Sequence, residues 1–171
     1  MTQLLGMGYE VVCVGEGNVK DFIADPIQNL TEFNGATNAE KAIEHSNMPE
    51  VIEDAKRVSQ LIDDHHIQNI NIQRPSIQLI NDYLAQGYLL CHWVNSRALS
   101  GLEGYNGHYV LVYDTTKERI IFHNPGGYDA DMNPLNHNKG QAISPSMFLK
   151  ASVLPKTQRF EGFVAVKPQL N

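Results

Sequence analysis

Three apolar segments in the second half of this chain constrain its fold more than any other feature. Each is dense in β-branched and aromatic residues, which favour β-strands; they are YLLCHWVN (88–95), HYVLVYD (108–114) and RIIFHN (119–124). None alternates cleanly between apolar and polar residues, which is typical of central strands covered on both faces. The turn sequence TTKE (115–118) joins the last two segments, so they are expected to form an antiparallel hairpin.

The remaining segments predict a mixture of helices and strands. We expect strands at 9–15, 70–73 and 161–168, helices at about 38–44, 49–64, 75–86 and 145–151, and loops at 27–38 and 125–140. Because the strands are concentrated late in the chain and joined by hairpins, the order favours an α+β domain with an antiparallel sheet. The 171 residues, 42% of them hydrophobic, are enough for one domain spanning 1–171.

Composition excludes several classes of partner. The net charge of -6 argues against a nucleic-acid surface, which needs clustered lysine and arginine. No apolar run approaches the about 20 residues that span a bilayer, so no membrane association is expected. The first residues lack the basic region and cleavage site of a signal peptide, and the two cysteines, Cys13 and Cys91, lie in apolar segments typical of strands. These features favour a cytoplasmic protein with reduced, buried thiols, and secretion of a mature fragment is the alternative.

No cofactor or metal ion is expected. The Gly15-Glu16-Gly17 turn has Lys20 where a dinucleotide fingerprint requires a third glycine. His92, His123 and His137 are not organised by the HExxH or CxxC spacing that is typical of zinc sites.

The hairpin carries the candidate chemistry. A tight turn centred near Thr116 would place His108 directly opposite Asn124, although a slip of one residue would put the two side chains on opposite faces. An asparagine oxygen that accepts from imidazole Nδ1–H would leave Nε2 available as a base, as in a cysteine–histidine–asparagine site. The alternative is a histidine at a strand end that is capped by asparagine for structural reasons only.

A wider pattern surrounds this pair. A helix that ends at Gly87 precedes a strand ending in Val94-Asn95, and then come GHYVLVYD (107–114), IIFHNPG (120–126) and a short helix carrying Phe148. Over roughly residues 70–151 this pattern resembles the C39-like branch of the papain-like cysteine peptidases. Their run is typically G-H-[YWF]-V-V-V, followed by a strand that ends [HN]-[DN]-P. The resemblance implies a papain-like fold with a central antiparallel sheet flanked by helices, and a peptide or protein as substrate or partner.

Carried over to this sequence, the resemblance makes His108 the general base or acid and Asn124 the residue that orients it. The family's nucleophilic cysteine begins an N-terminal helix that this sequence does not show, which predicts a fold truncated at its N-terminus. Cys13 lies in a predicted strand, where nothing lowers its pKa, and Cys91 lies inside another strand. Three hypotheses follow: the nucleophile lies on a missing N-terminal segment or a partner, the chain is an inactive relative, or Cys91 acts as the nucleophile.

The sequence therefore leaves two alternative hypotheses for the function. The first is cysteine-peptidase chemistry on peptide or amide bonds through His108 and Asn124. The second is a pseudo-peptidase that binds a peptide or protein without cleaving it. A truncated papain-like fold would also expose an apolar face, and such a face predicts a homo-oligomer or another covering partner.

Overall fold

A computed structural model of the chain describes residues 7–45, 47–65, 67–72, 74–125 and 139–169. The strands are β1 (Tyr9–Gly15), β2 (Gln68–Asn71), β3 (Leu89–Asn95), β4 (Gly107–Thr115), β5 (Ile120–His123), β6 (Gln141–Ile143) and β7 (Phe163–Pro168). The helices are α1 (Val19–Ala24), α2 (Pro26–Asn34), α3 (Ala36–His45), α4 (Met48–Asp64), α5 (Ile77–Ala85), α6 (Ser96–Leu99) and α7 (Pro145–Ala151).

The strands form one seven-stranded sheet in the order β2-β1-β7-β3-β4-β5-β6. Strand β2 runs parallel to β1, and every other neighbouring pair is antiparallel. The predicted α+β class with a central antiparallel sheet is therefore confirmed. The single parallel pair arises because β1 is followed by four helices before the chain returns to the sheet, and such a crossover delivers a strand in the same direction.

One face of the sheet carries the hydrophobic core. Leu90, Val110 and Val112 on the two central strands are at most 1% exposed and pack against Ile80 of α5 and Phe148 of α7. Helix α5 begins where the Ser76 side chain accepts a hydrogen bond from Leu79 N. It ends at Ala85, and Gly87, two residues later, has a φ of +84°, the left-handed conformation that commonly follows a helix. This face, which we call the core face, also carries the side chain of His108, because Val94, its direct partner, lies in line with Leu90.

The prediction that the central strands are covered on both faces holds for the end of β3, where residues 92–95 are all buried, but it is wrong for the start of β3 and for β4. On the second face, which we call the open face, Leu89 is 45% exposed and Tyr109 is 54% exposed. Cys91 and Leu111, a direct pair on that face, are half-buried. The exposed and half-buried side chains of β3 and β4 on this face are apolar or aromatic, so the two strands resemble fully covered strands in composition, although burial alternates along β4.

The predicted loop at 27–38 is wrong, since most of it is helical. Helix α2 begins at Pro26, and the Asp25 side chain accepts a hydrogen bond from Gln28 N at 2.9 Å. Helix α1 is capped similarly, because Asn18 accepts from Lys20 N at 2.9 Å. The asparagine and threonine residues that suggested a loop are thus accommodated in helices, because N-capping side chains, and in α2 a proline in the first turn, favour the start of a helix.

Other boundaries differ less. The strand expected at 70–73 is β2, which begins two residues earlier, and the short strand β6 and helix α6 were not predicted. Residues 126–138 of the expected 125–140 loop lie outside the described residues. Among the described helices, none combines the length and the apolar character that crossing a lipid bilayer requires.

Candidate active site

His108 and Asn124 lie side by side at the end of the β4–β5 hairpin. His108 Nε2 is 2.6 Å from Asn124 Oδ1, and because an amide oxygen can only accept, Nε2 carries the proton and donates it. Asn124 is buried, and His108 is half-buried. The contact predicted from the hairpin is therefore present, with the imidazole partly accessible to solvent and the amide enclosed.

The contact depends on a β-bulge that the sequence did not reveal. Near the turn, Asp114 pairs with Ile121, but beyond an extra residue at Tyr113 the register shifts so that Val112 pairs with Phe122. Continued by two residues, this register places Asn124 across from Val110, diagonal to His108 on the core face. Without the bulge, Asn124 would lie across from Leu111 and point to the open face.

The predicted direct pairing of His108 with Asn124 is wrong by two residues, but this even difference keeps both side chains on one face. The predicted tautomer is wrong too. Nε2 rather than Nδ1 faces the asparagine, so in neutral His108 the lone pair belongs to Nδ1. Any proton that His108 removes from a reactant would therefore be taken up at Nδ1.

The structure does not bring Cys91 to His108. Cys91 pairs with Leu111, whose side chain points to the open face, whereas His108 points to the core face. Cys13 pairs with Val164, which is itself across from Cys91, so both thiols lie on the open face. Burial raises the pKa of both thiols. The hypothesis that Cys91 is the nucleophile activated by His108 is therefore wrong, because the two side chains lie on opposite faces of the sheet.

The segment that leads into His108 is held by a buried asparagine. Asn95 Oδ1 accepts hydrogen bonds from Asn106 N at 3.0 Å and Arg97 N at 3.2 Å, and its Nδ2 donates to Gly104 O at 2.8 Å. The same side chain thus starts α6 and anchors the loop that returns to β4. Asn95, at the end of β3, therefore helps to fix the start of β4, where His108 lies.

A cleft of about 350 Å³ opens at this end of the sheet. It is lined by Asn95, Ala98, Gly101, Leu102, Glu103, Gly104, Lys150, Val153, Pro155 and Gln158. Asn95 pairs with Gly107, the residue before His108, so the cleft and the histidine lie at the same end of the sheet, but neither His108 nor Asn124 lines the cleft.

Within the described ranges, no three histidine, cysteine, aspartate or glutamate side chains are grouped so that they could hold a metal ion. His137 lies outside those ranges. No protein-family model matches this sequence, and no curated protein matches it either.

Asn124→Ala is expected to release His108 from a single tautomer, because the amide oxygen that fixes the Nε2 proton is removed. The lost hydrogen bond should cost about 1 kcal/mol of unfolding free energy. Nitrogen-15 NMR of the histidine rings would measure the tautomer, with Asn81→Ala as the matched control, since Asn81 bonds Thr115 at the far end of β4. An unchanged Nε2-protonated spectrum in Asn124→Ala would show that Asn124 does not orient the ring.

Two further polar groups were missed by the sequence analysis. Glu161 and Tyr105 form a hydrogen bond on the open face, and burial raises the pKa of Glu161 to about 7. Tyr105 follows a glycine in loop-like sequence and Glu161 begins an expected strand, and neither pattern indicated that the two residues would meet. Their contact depends on the pairing of β3 with both β4 and β7, because Tyr105 precedes β4 and Glu161 precedes β7.

Proposed function

We propose that this chain is a cysteine-peptidase-like domain that acts on peptide or amide bonds, with His108 as general base and acid. The observation that carries the proposal is the 2.6 Å hydrogen bond from His108 Nε2 to Asn124 Oδ1 at an accessible sheet end. Nδ1 would take the proton of a thiol, and the thiolate would attack the carbonyl carbon. Protonated His108 would then return the proton to the leaving amine as the tetrahedral intermediate collapses to an acyl-enzyme.

The thiol of this proposal is not one of the two cysteines in the sequence, because both lie on the open face. It would come from another chain or from a segment outside the 171 residues. The cleft lined by Asn95 supports the proposal, since it gives a peptide a place to bind at the same end of the sheet as His108, although neither His108 nor Asn124 lines it.

A pseudo-peptidase that binds a peptide or protein is the second candidate. The observation that favours it is the separation of both described thiols from His108 by the sheet itself. In that case Asn124 and His108 would provide hydrogen bonds to a bound ligand, and no acyl-enzyme would form.

Chemical rescue with a small thiol tests the proposal. The protein is expected to accelerate acyl transfer from the p-nitrophenyl ester of a blocked amino acid to N-acetylcysteamine, because His108 would deprotonate the added thiol. His108→Ala should lower this rate at least about tenfold, since general base catalysis typically contributes 10²–10⁴-fold. Release of p-nitrophenol measures the rate.

His123→Ala is the matched control, because His123 lies on the neighbouring strand across from Leu111 and its ring contacts that of Tyr113, with ring centroids 4.5 Å apart. A variant with serine at Cys13 and Cys91 should retain the rescued activity. Equal rates for the wild type and a folded His108→Ala protein would refute the catalytic proposal and leave the pseudo-peptidase.

A further inference from the structure

The open face carries an aromatic cluster at the same end of strands β3 and β4. Trp93 pairs directly with Tyr109, and the centroids of the Trp93 and Tyr105 rings are 5.7 Å apart. Trp93 is only 5% exposed, whereas Tyr105 and Tyr109 are 47% and 54% exposed. The cluster thus combines a buried indole with two phenol rings that a ligand can reach.

Gly107 lets the two nearest rings approach the strand. A β-carbon at this position would lie 3.0 Å from the Tyr105 hydroxyl and 3.1 Å from Trp93 Nε1, closer than ordinary contact. A side chain here would therefore push the rings apart, so the absence of a side chain on Gly107 is part of the geometry of the cluster.

A carboxyl group lies against these rings. Glu161 is half-buried and accepts a hydrogen bond from the Tyr105 hydroxyl. Trp93 N donates to Gly162 O at 3.0 Å, which holds the Glu161 segment against β3. In the described part of the chain, no lysine or arginine forms an ion pair with Glu161. A partly desolvated carboxylate without a cation is costly, and a bound cation would remove that cost.

We propose that Trp93, Tyr105, Tyr109 and Glu161 form a binding site for an organic cation with an alkylammonium head group. Aromatic rings attract such cations through their negative faces, and a carboxylate beside them neutralises the charge. The net charge of -6 also favours the approach of a cation. The site lies on the face opposite His108, so it does not depend on the proposed peptidase chemistry.

Cation binding should be linked to the ionisation of Glu161. Burial raises the pKa of Glu161 to about 7, so near neutral pH binding must first remove its proton. Among the described residues, Tyr105 and Tyr109 interact with Glu161, and Cys91 interacts with Tyr109. Burial raises the pKa of each of these three groups, so they stay neutral in this range. Affinity is therefore expected to increase as the pH is raised from 6 to 8, with release of up to one proton.

Trp93 is the only tryptophan in the sequence, so its fluorescence reports directly on the site. Titration with choline at pH 8 is expected to change this fluorescence in a saturable way. The neutral isostere 3,3-dimethyl-1-butanol should bind at least about tenfold more weakly, because it lacks the charge. A parallel titration with Nα-acetyllysine amide distinguishes a primary ammonium, as on a lysine side chain, from a quaternary one, and binding of either cation supports the site.

Glu161→Gln should weaken binding of the preferred cation at least about tenfold and abolish its pH dependence, because the charge is lost while a polar amide remains. Tyr109→Leu should weaken binding severalfold. Glu103→Gln is the matched control: it removes an exposed carboxylate at the same end of the sheet and should change affinity less than about twofold. Equal binding of choline and its neutral isostere, wild-type affinity in Glu161→Gln, or no saturable signal from either cation below roughly 10 mM would overturn the proposal.

Discussion

Acidification from pH 6.5 to 4 is expected to remove about 3 kcal/mol of unfolding free energy through His92 alone. His92 is fully buried on the core face, and burial lowers its pKa from 6.5 to about 4. Its ring lies 4.9 Å from the ring of Phe148 and 5.4 Å from that of Phe163, measured between centroids. Nδ1 is 2.8 Å from the Trp93 carbonyl oxygen, and Nε2 has no hydrogen-bond partner among the described residues.

The free energy of unfolding is expected to fall at low pH because the unfolded chain takes up a proton more readily than the folded chain. Between pH 6.5 and 4, His92 is protonated in the unfolded chain but stays neutral in the folded chain. A falling pH therefore favours unfolding. The contribution of neutral His92 is fully present above pH 6.5 and lost by about pH 4. Glu161 acts in the opposite sense, because its raised pKa makes the folded state bind a proton first as the pH falls through about 7. Its effect is smaller, since Glu161 is partly exposed to solvent.

The measurement therefore starts from the Glu161→Gln protein, in which the opposing group is absent. Urea unfolding followed by Trp93 fluorescence at pH 4, 5, 6 and 7 should show the loss, and adding His92→Phe should remove most of it. The slope with pH is the decisive quantity, because the phenyl ring also changes packing at every pH. An unchanged slope after His92→Phe would mean that His92 is not the acid-sensitive group.

Gly162→Ala is expected to cost roughly 3 to 5 kcal/mol of unfolding free energy, or to prevent folding. A β-carbon at this residue would lie 2.0 Å from the Val14 carbonyl oxygen and 2.7 Å from the Gly15 α-carbon. Both are backbone atoms, so they cannot relieve the clash without a shift of the strand. The φ of Gly162 is +101°, a conformation that side chains disfavour. Its carbonyl also accepts the hydrogen bond from Trp93 N, so three strands meet at this residue.

Gly101→Ala separates steric conflict from backbone strain. Gly101 has a φ of +70°, but no atom lies within 4 Å of the position of its β-carbon. Its substitution should therefore cost only the conformational strain, about 1 kcal/mol. Unfolding in urea measures both variants, and similar losses at the two positions would contradict the close approach of β1 to the start of β7.

Much of the site followed from residue types and order. The segments around His108 and Asn124 are strands because they are rich in valine, isoleucine and tyrosine, and a short polar turn between them leaves a hairpin as the simplest connection. Helix α4 was expected within one residue of its bounds, since its apolar positions recur at helical spacing after Pro49. Helix α2 was missed because loop-like composition hid the cap at Asp25.

The sequence by itself determined the strand character of the hairpin, the α+β class and the presence of a polar pair at the hairpin's open end. The tertiary structure decided which side chains share a face. The bulge at Tyr113 shifts the register by one residue and so returns Asn124 to the face of His108, while strand pairing places Cys13 and Cys91 on the other face. The physical reason is that side chains alternate between the two faces of a sheet. A single residue of register, set by packing rather than by local preference, therefore decides which side chains lie close enough to interact.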